Sequence, residues 1–196
     1  MQPQAATLRF ALLPRTLVVD VALVVGAALF VALSAQLVIP LPFTPVPITM
    51  QPFAVLLVGA SLGAVRGSSA LVLYLLLGMV GAPVYADGHG GLEWVLGASG
   101  GYLVSYPFVA AITGRLAERH WDRKVLSALA AMLAGNVAIY VVGVPWLAAY
   151  LDVGIGRALE LGLYPFIPGD LLKLVLAALL LPGAWRLVRR AKGLDD

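Results

Sequence analysis

The chain has 196 residues, 61% of them hydrophobic and 12% charged, with a formal net charge of +3. Its mean hydropathy is +0.96; soluble domains carry roughly 25% charged residues, so an ordinary soluble domain and a disordered chain are both excluded. About 120 apolar residues, at about 20 per crossing, allow at most roughly six membrane helices, which makes the chain a single membrane domain.

Leu17–Ile39 is a long apolar run and predicts the first helix. Arg9 and Arg15 precede it as they would in a secretory signal, but the run is too long for one. Pro40–Gln51 follows, with four prolines in eight residues and no charge. That composition forbids helix and predicts a stiff extended loop, either a connector or a lid over a site. Pro52–Leu62, extended to about Val65, and Ser68–Gly81 predict the second and third helices, with a tight turn at Arg66-Gly67. Both are short for an upright crossing and read as a helical hairpin. Ser99–Leu116, Val125–Leu147 and Leu171–Val188 complete six predicted helices. Runs such as Leu71–Leu77 are continuously apolar where barrel strands alternate, so the fold class is all-α.

Charge sets the expected orientation. With six crossings, one side holds Arg9, Arg15, Arg66, Arg115, Arg119, Arg123, Lys124, Arg186, Arg189, Arg190 and Lys192. The other side holds Arg157, and Lys173 lies inside a helix. Positive loops stay inside, which supports six membrane helices with both termini cytoplasmic. Orientation alone explains the basic loop 115–124 and the tail 186–192; partner chains and anionic membrane lipid are further candidates to meet them, and no site is assigned there.

The outer loops carry the unusual residues. One holds Asp87-Gly88-His89-Gly90-Gly91 and then Gly97-Ala98-Ser99-Gly100-Gly101-Tyr102. Glycines this dense serve close backbone approach, to a ligand or to another helix. The other holds Pro168-Gly169-Asp170-Leu171-Leu172-Lys173. Asp170 suits the start of the sixth helix by capping and by the dipole. Lys173 falls three residues on, on the same face, a turn inside an otherwise uncharged segment. An ionisable residue in a membrane is costly and faces a partner or a cavity. A lysine there serves as counter-ion to a ligand carboxylate, and Asp170 accepts from ligand N–H groups. Tyr85, Trp94, Tyr102, Trp146, Tyr164 and Phe166 are candidate walls, or interfacial anchors.

Catalysis has little support: no nucleophile with a base, no Rossmann pattern and no phosphate loop occur in the sequence. His89 has no second histidine beside it, so no metal site is expected, and no cofactor. Basic residues lack interleaved aromatics, so no nucleic-acid partner is expected either. A transporter subunit, a pore and a scaffold remain.

At these residues the sequence resembles BioY, the family of biotin-binding membrane subunits of energy-coupling-factor vitamin importers. The segments that carry the resemblance are Pro45–Gln51, Tyr74–Val84, Gly90-Gly91, Leu96–Tyr102 and Ile167–Lys173, in that order. The resemblance implies a compact six-helix bundle that captures biotin from outside, with a transmembrane coupling subunit and a pair of cytoplasmic ATPases as partners. It implies that Asp170 and Lys173 match the family's Asp-x-x-Lys motif at the vitamin. His89 stands where relatives carry asparagine, and is expected to reach the ureido ring. Leu103 stands where some carry arginine, which leaves Lys173 more alone on the carboxylate. Gln51, Tyr85, Gly91 and Tyr102, in or beside these motifs, complete the expected binding set. Ala28 and Ala32 form a small-xxx-small pair on the first helix, an expected contact for the coupling subunit. The alternatives are a sister subunit for another vitamin, and a proton-coupled carrier using Asp170 and Lys173 as relay.

Overall fold

The computed structural model describes Thr7, Leu8, Leu12 and residues 16–191. Arg9, Arg15 and Lys192 of the charge count lie outside the described residues. Helix α1 spans Leu17–Ala35. Its start is set by Thr16, whose hydroxyl accepts from the Val19 N–H at 3.3 Å. It stops short of the expected Ile39 because Val38–Ile39 (β1) pairs antiparallel with Ile48–Thr49 (β2), Val38 opposite Thr49 and Ile39 opposite Ile48. Pro40 disfavours helix in the residue before it, and the branched side chains suit the strand. The proline-rich loop is therefore a short hairpin.

Helices α2 (Gln51–Leu62) and α3 (Ala64–Met79) meet at Gly63, whose φ of +84° is open to glycine at little cost. The turn expected at Arg66-Gly67 lies here instead. Arg66 and Gly67 are inside α3, where Arg66 pairs with Asp20 of α1 at 2.7 Å. Gly67 faces Gly59 so closely that a β-carbon would lie 2.9 Å from the Gly59 Cα. A one-turn helix α4 (Leu92–Val95) precedes α5 (Gly100–Glu118). Helix α6 runs over Val125–Leu151, past Pro145, and α7 over Ile155–Gly162. Helix α8 spans Ile167–Ala191. It starts before the expected Leu171 because Pro168 falls in its first turn, where a missing N–H costs nothing.

Among the described residues, three stretches are long and apolar enough to cross a membrane: Leu17–Ala35, Val125–Leu151 and the near-continuous Ile155–Ala191. Helices α2 and α3 have 12 and 16 residues; at about 1.5 Å per residue both fall short of a ~30 Å hydrocarbon core. Large apolar side chains stand fully outward, Leu126 at 82% and Leu17 at 79% exposure. A surface of that kind suits lipid or a partner chain and does not suit water.

The core joins α5 and α6 to the other long helices. Small residues permit this closeness. At Gly101 a β-carbon would lie 2.3 Å from that of Trp146. The glycines before Tyr102 therefore serve helix packing.

Side-chain bonds tie the connections into two groups. At one end, Glu118 Oε1 accepts from the Ala64 N–H at 2.8 Å, and the Trp185 indole donates to Asp122 between α5 and α6. At the other, the Thr44 hydroxyl donates to the Leu161 carbonyl at 2.8 Å and the Tyr102 hydroxyl to that of Gly162 at 2.9 Å. Arg66, Arg115, Arg119, Arg123 and Lys124 fall in or near the first group.

Candidate functional site

The second group of connections roofs a cavity between the helices. Its atom-free space, open mouth included, is about 590 Å³. Val46, Pro47 and Thr49 of the hairpin form one wall, so the proline-rich loop lies over the cavity. Val46 is buried, and the Thr44 bond to Leu161 fastens the loop to α7. Prolines stiffen it, so it covers the cavity as a unit.

Asp170 and Lys173 both face this cavity. They are the only charged side chains among the described residues lining it. Both are buried, at 5% and 7% exposure. Lys173 Nζ lies 3.3 Å from Asp170 Oδ1, as their three-residue spacing on a helix dictates. Asp170 is not the helix cap expected from its sequence position. The helix begins at Ile167, and the carboxylate accepts from side chains of α6. Asn136 Nδ2 donates to Asp170 Oδ2 at 3.2 Å, and the Tyr140 hydroxyl donates to the same oxygen. A buried carboxylate with three donors is compensated for its loss of water.

Gln51 lies in the cavity wall at the start of α2. Its amide donates to the Tyr74 hydroxyl at 2.6 Å, and its carbonyl accepts from the Thr49 hydroxyl at 3.0 Å. Tyr85 donates to the Leu75 carbonyl at 2.6 Å, and burial pushes its phenol up to about 12, so it stays a neutral donor. Gln36 at the end of α1 holds this segment: its amide donates to the Tyr85 carbonyl at 3.1 Å and accepts from the Gly88 N–H at 2.8 Å.

Of the residues singled out from sequence, Asp170, Lys173, Gln51, Tyr85 and Tyr102 are brought together around the cavity. His89 and Gly91 are not in its lining. His89 is exposed; its ring lies tilted by 41° against Trp94 with centroids 4.1 Å apart, and Nδ1 lies 2.9 Å from the Ala86 carbonyl. Gly91 has a φ of +105° and donates its N–H to the Gly78 carbonyl at 2.7 Å, so it shapes the loop. Of the other candidate aromatics, Trp94 and Phe166 line the cavity as well. Trp146 packs on Gly101 and donates to the Gly97 carbonyl, and Tyr164 is exposed. Ala28 and Ala32 are buried inside the chain, at 1% and 9% exposure. The small-residue stripe thus packs on neighbouring helices of the same chain, and α1 turns Val18, Val21 and Leu29 outward.

Sequence reasoning missed Tyr74, Tyr106, Asn136 and Tyr140. Tyr106 and Tyr140 line the cavity with Leu103 and Ile139, while Asn136 and Tyr74 reach it through Asp170 and Gln51. One signal was available: Asn136 and Tyr140 sit four apart, hence on one face, in an apolar segment where an unpartnered amide is expensive.

A family model described as "BioY family" matches residues 4–190. A biotin transporter BioY from Rhizobium etli is 42% identical over 161 residues, which cover 79% of this chain and 86% of that protein. One from Thermotoga maritima is 40% identical over 142 residues, covering 72% and 82%. Among solved structures, the S-component for biotin from an ECF-type ABC transporter superposes with a TM-score of 0.77 at 27% identity. That match covers 91% of this chain and 93% of the other.

Proposed function

Because the chain belongs to the BioY family, we propose that it captures biotin from the outer side of the membrane as the substrate-binding subunit of an energy-coupling-factor importer. The observation that carries this reading is the buried Asp170–Lys173 pair facing a roofed, aromatic-walled cavity. Biotin presents a carboxylate, ureido N–H groups, and an apolar ring and chain. Lys173 supplies the counter-ion for the carboxylate and Asp170 an acceptor for the ureido head. Tyr85, Tyr102 and Phe166 cover the apolar parts, and Gln51 offers a polar contact at the wall. The 40–51 hairpin acts as the lid. His89 enters this reading as a support for Trp94 in place of a direct ureido contact.

Energy is supplied by other chains, a transmembrane coupling subunit and a cytoplasmic ATPase pair; the Gly-x-x-x-x-Gly-Lys-[Ser/Thr] loop occurs nowhere in this sequence. In this reading the short α2–α3 hairpin enters the membrane beside α1, α5, α6 and α8 and, thinning the bilayer locally, counts as two of six crossings, so that both termini share one side. Gathering of the basic connections at one end of the bundle supports a cytoplasmic position for that end.

The test is equilibrium binding of labelled biotin to the purified chain in detergent, without partner proteins. Saturable binding displaced by unlabelled biotin, and not by thiamine or riboflavin, is expected. Absence of binding by a folded, monodisperse sample removes the reading.

A further inference from the structure

The two oxygens of Asp170 have different surroundings. Oδ2 accepts from both Asn136 Nδ2, at 3.2 Å, and the Tyr140 hydroxyl. Oδ1 faces Lys173 Nζ at 3.3 Å. A carboxylate has about four lone-pair sites. Two donors on Oδ2 fill that oxygen, so the remaining acceptor capacity lies on Oδ1, beside the ammonium.

The donors and the carboxylate also sit on different helices. Asn136 and Tyr140 are one turn apart on α6, and Asp170 lies in the first turn of α8. The contact therefore fixes the carboxylate plane by a helix other than its own. A side chain with two rotatable bonds, held by one helix alone, would present several orientations to a ligand. Pinned at Oδ2, it presents one.

We propose that Tyr140, with Asn136, is a positioning residue for ligand recognition: it holds Asp170 so that Oδ1 alone meets the N–H head of the ligand. This rests on the biotin-capture reading for the identity of the ligand. It makes the site selective for a neutral N–H donor. Asp170 is already compensated by one ammonium and two neutral donors, so a cationic head gains little there.

The experiment is a double-mutant cycle read by equilibrium binding of biotin and of biotin amide, which lacks the carboxylate. Tyr140→Phe, in a sample whose thermal unfolding remains cooperative, is expected to weaken both ligands by a similar factor, about tenfold or more. Lys173→Met is expected to weaken biotin selectively. In an Asp170→Asn background, Tyr140→Phe is expected to cost little further, because the group through which it acts is gone. Asn136→Leu serves as the second probe of the same oxygen and should follow the same pattern. An equal loss from Tyr140→Phe in both backgrounds overturns the positioning role, since the phenol would then act independently of Asp170. A large loss from Asp170→Asn with none from Tyr140→Phe or Asn136→Leu also overturns it, while leaving biotin capture intact. If the unsubstituted chain binds neither ligand, it is the capture reading that fails.

Discussion

Tyr85 lies across Gly78 so closely that a β-carbon at Gly78 would fall 2.0 Å from the phenol ring. The ring is buried, and it meets Tyr74 edge-on with centroids 5.7 Å apart. One side of the cavity wall thus depends on a missing methyl group in α3. Gly78→Ala forces the ring out of its seat, and overpacking of this kind costs about 1–3 kcal/mol. Thermal unfolding in detergent should show that loss, and biotin affinity should fall with it. An unchanged midpoint and affinity would show that Tyr85 re-seats without cost.

Lys173 is the one cationic side chain among the described residues lining the cavity. Lys173→Met should weaken biotin far more than biotin amide. Truncating one partner of a buried charged contact costs about 2–5 kcal/mol, so a loss of roughly 30-fold or more is expected. Equal loss for both ligands would remove the counter-ion role.

The hairpin is fastened to α7 through the Thr44 hydroxyl. Thr44→Val keeps the shape and deletes the bond, worth about 0.5–1.5 kcal/mol net. Dissociation of biotin should quicken by about 2- to 10-fold with little change in the association rate. An unaltered dissociation rate would show that the hairpin is no lid.

Asp122, between α5 and α6, is buried, and desolvation raises its carboxyl above the ordinary 3.8 despite the bond from Trp185 and the nearby Arg123. The folded state therefore holds its proton more tightly than the unfolded state does. Its stability contribution is fully present below the ordinary value and is lost as pH rises through the raised one. Asp122→Asn, which cannot ionise, should gain in unfolding midpoint relative to the parent as pH goes from about 4 to 7. A constant difference between the two proteins across that range would contradict the assignment.

The sequence contains no cysteine, so single cysteines report sidedness without background. Gly156→Cys in α7 should react with a membrane-impermeant thiol reagent from outside intact cells. Lys124→Cys should react only after permeabilisation. The reverse pattern would invert the orientation argued from the basic connections.

Much of this architecture is legible in the chain by itself. Charges excluded from apolar segments stand out in composition, so the membrane class, the one-sided basic connections and the Asp170–Lys173 pair all follow from the cost of burying charge. Prolines between 40 and 47 dictate a non-helical, stiff cover for the same local reason. Facing and partnership do not follow from local chemistry. Whether Ala28 and Ala32 meet another chain or their own, and whether Trp94 or Trp146 walls the cavity, depends on which helix packs against each. An apolar segment in a membrane is uniform in hydropathy around its circumference, so its periodicity does not separate core from lipid. Asn136 and Tyr140 stand 34 and 30 residues from the carboxylate they hold. Only the crossing of α6 over α8 makes Asn136, Tyr140, Asp170 and Lys173 one site.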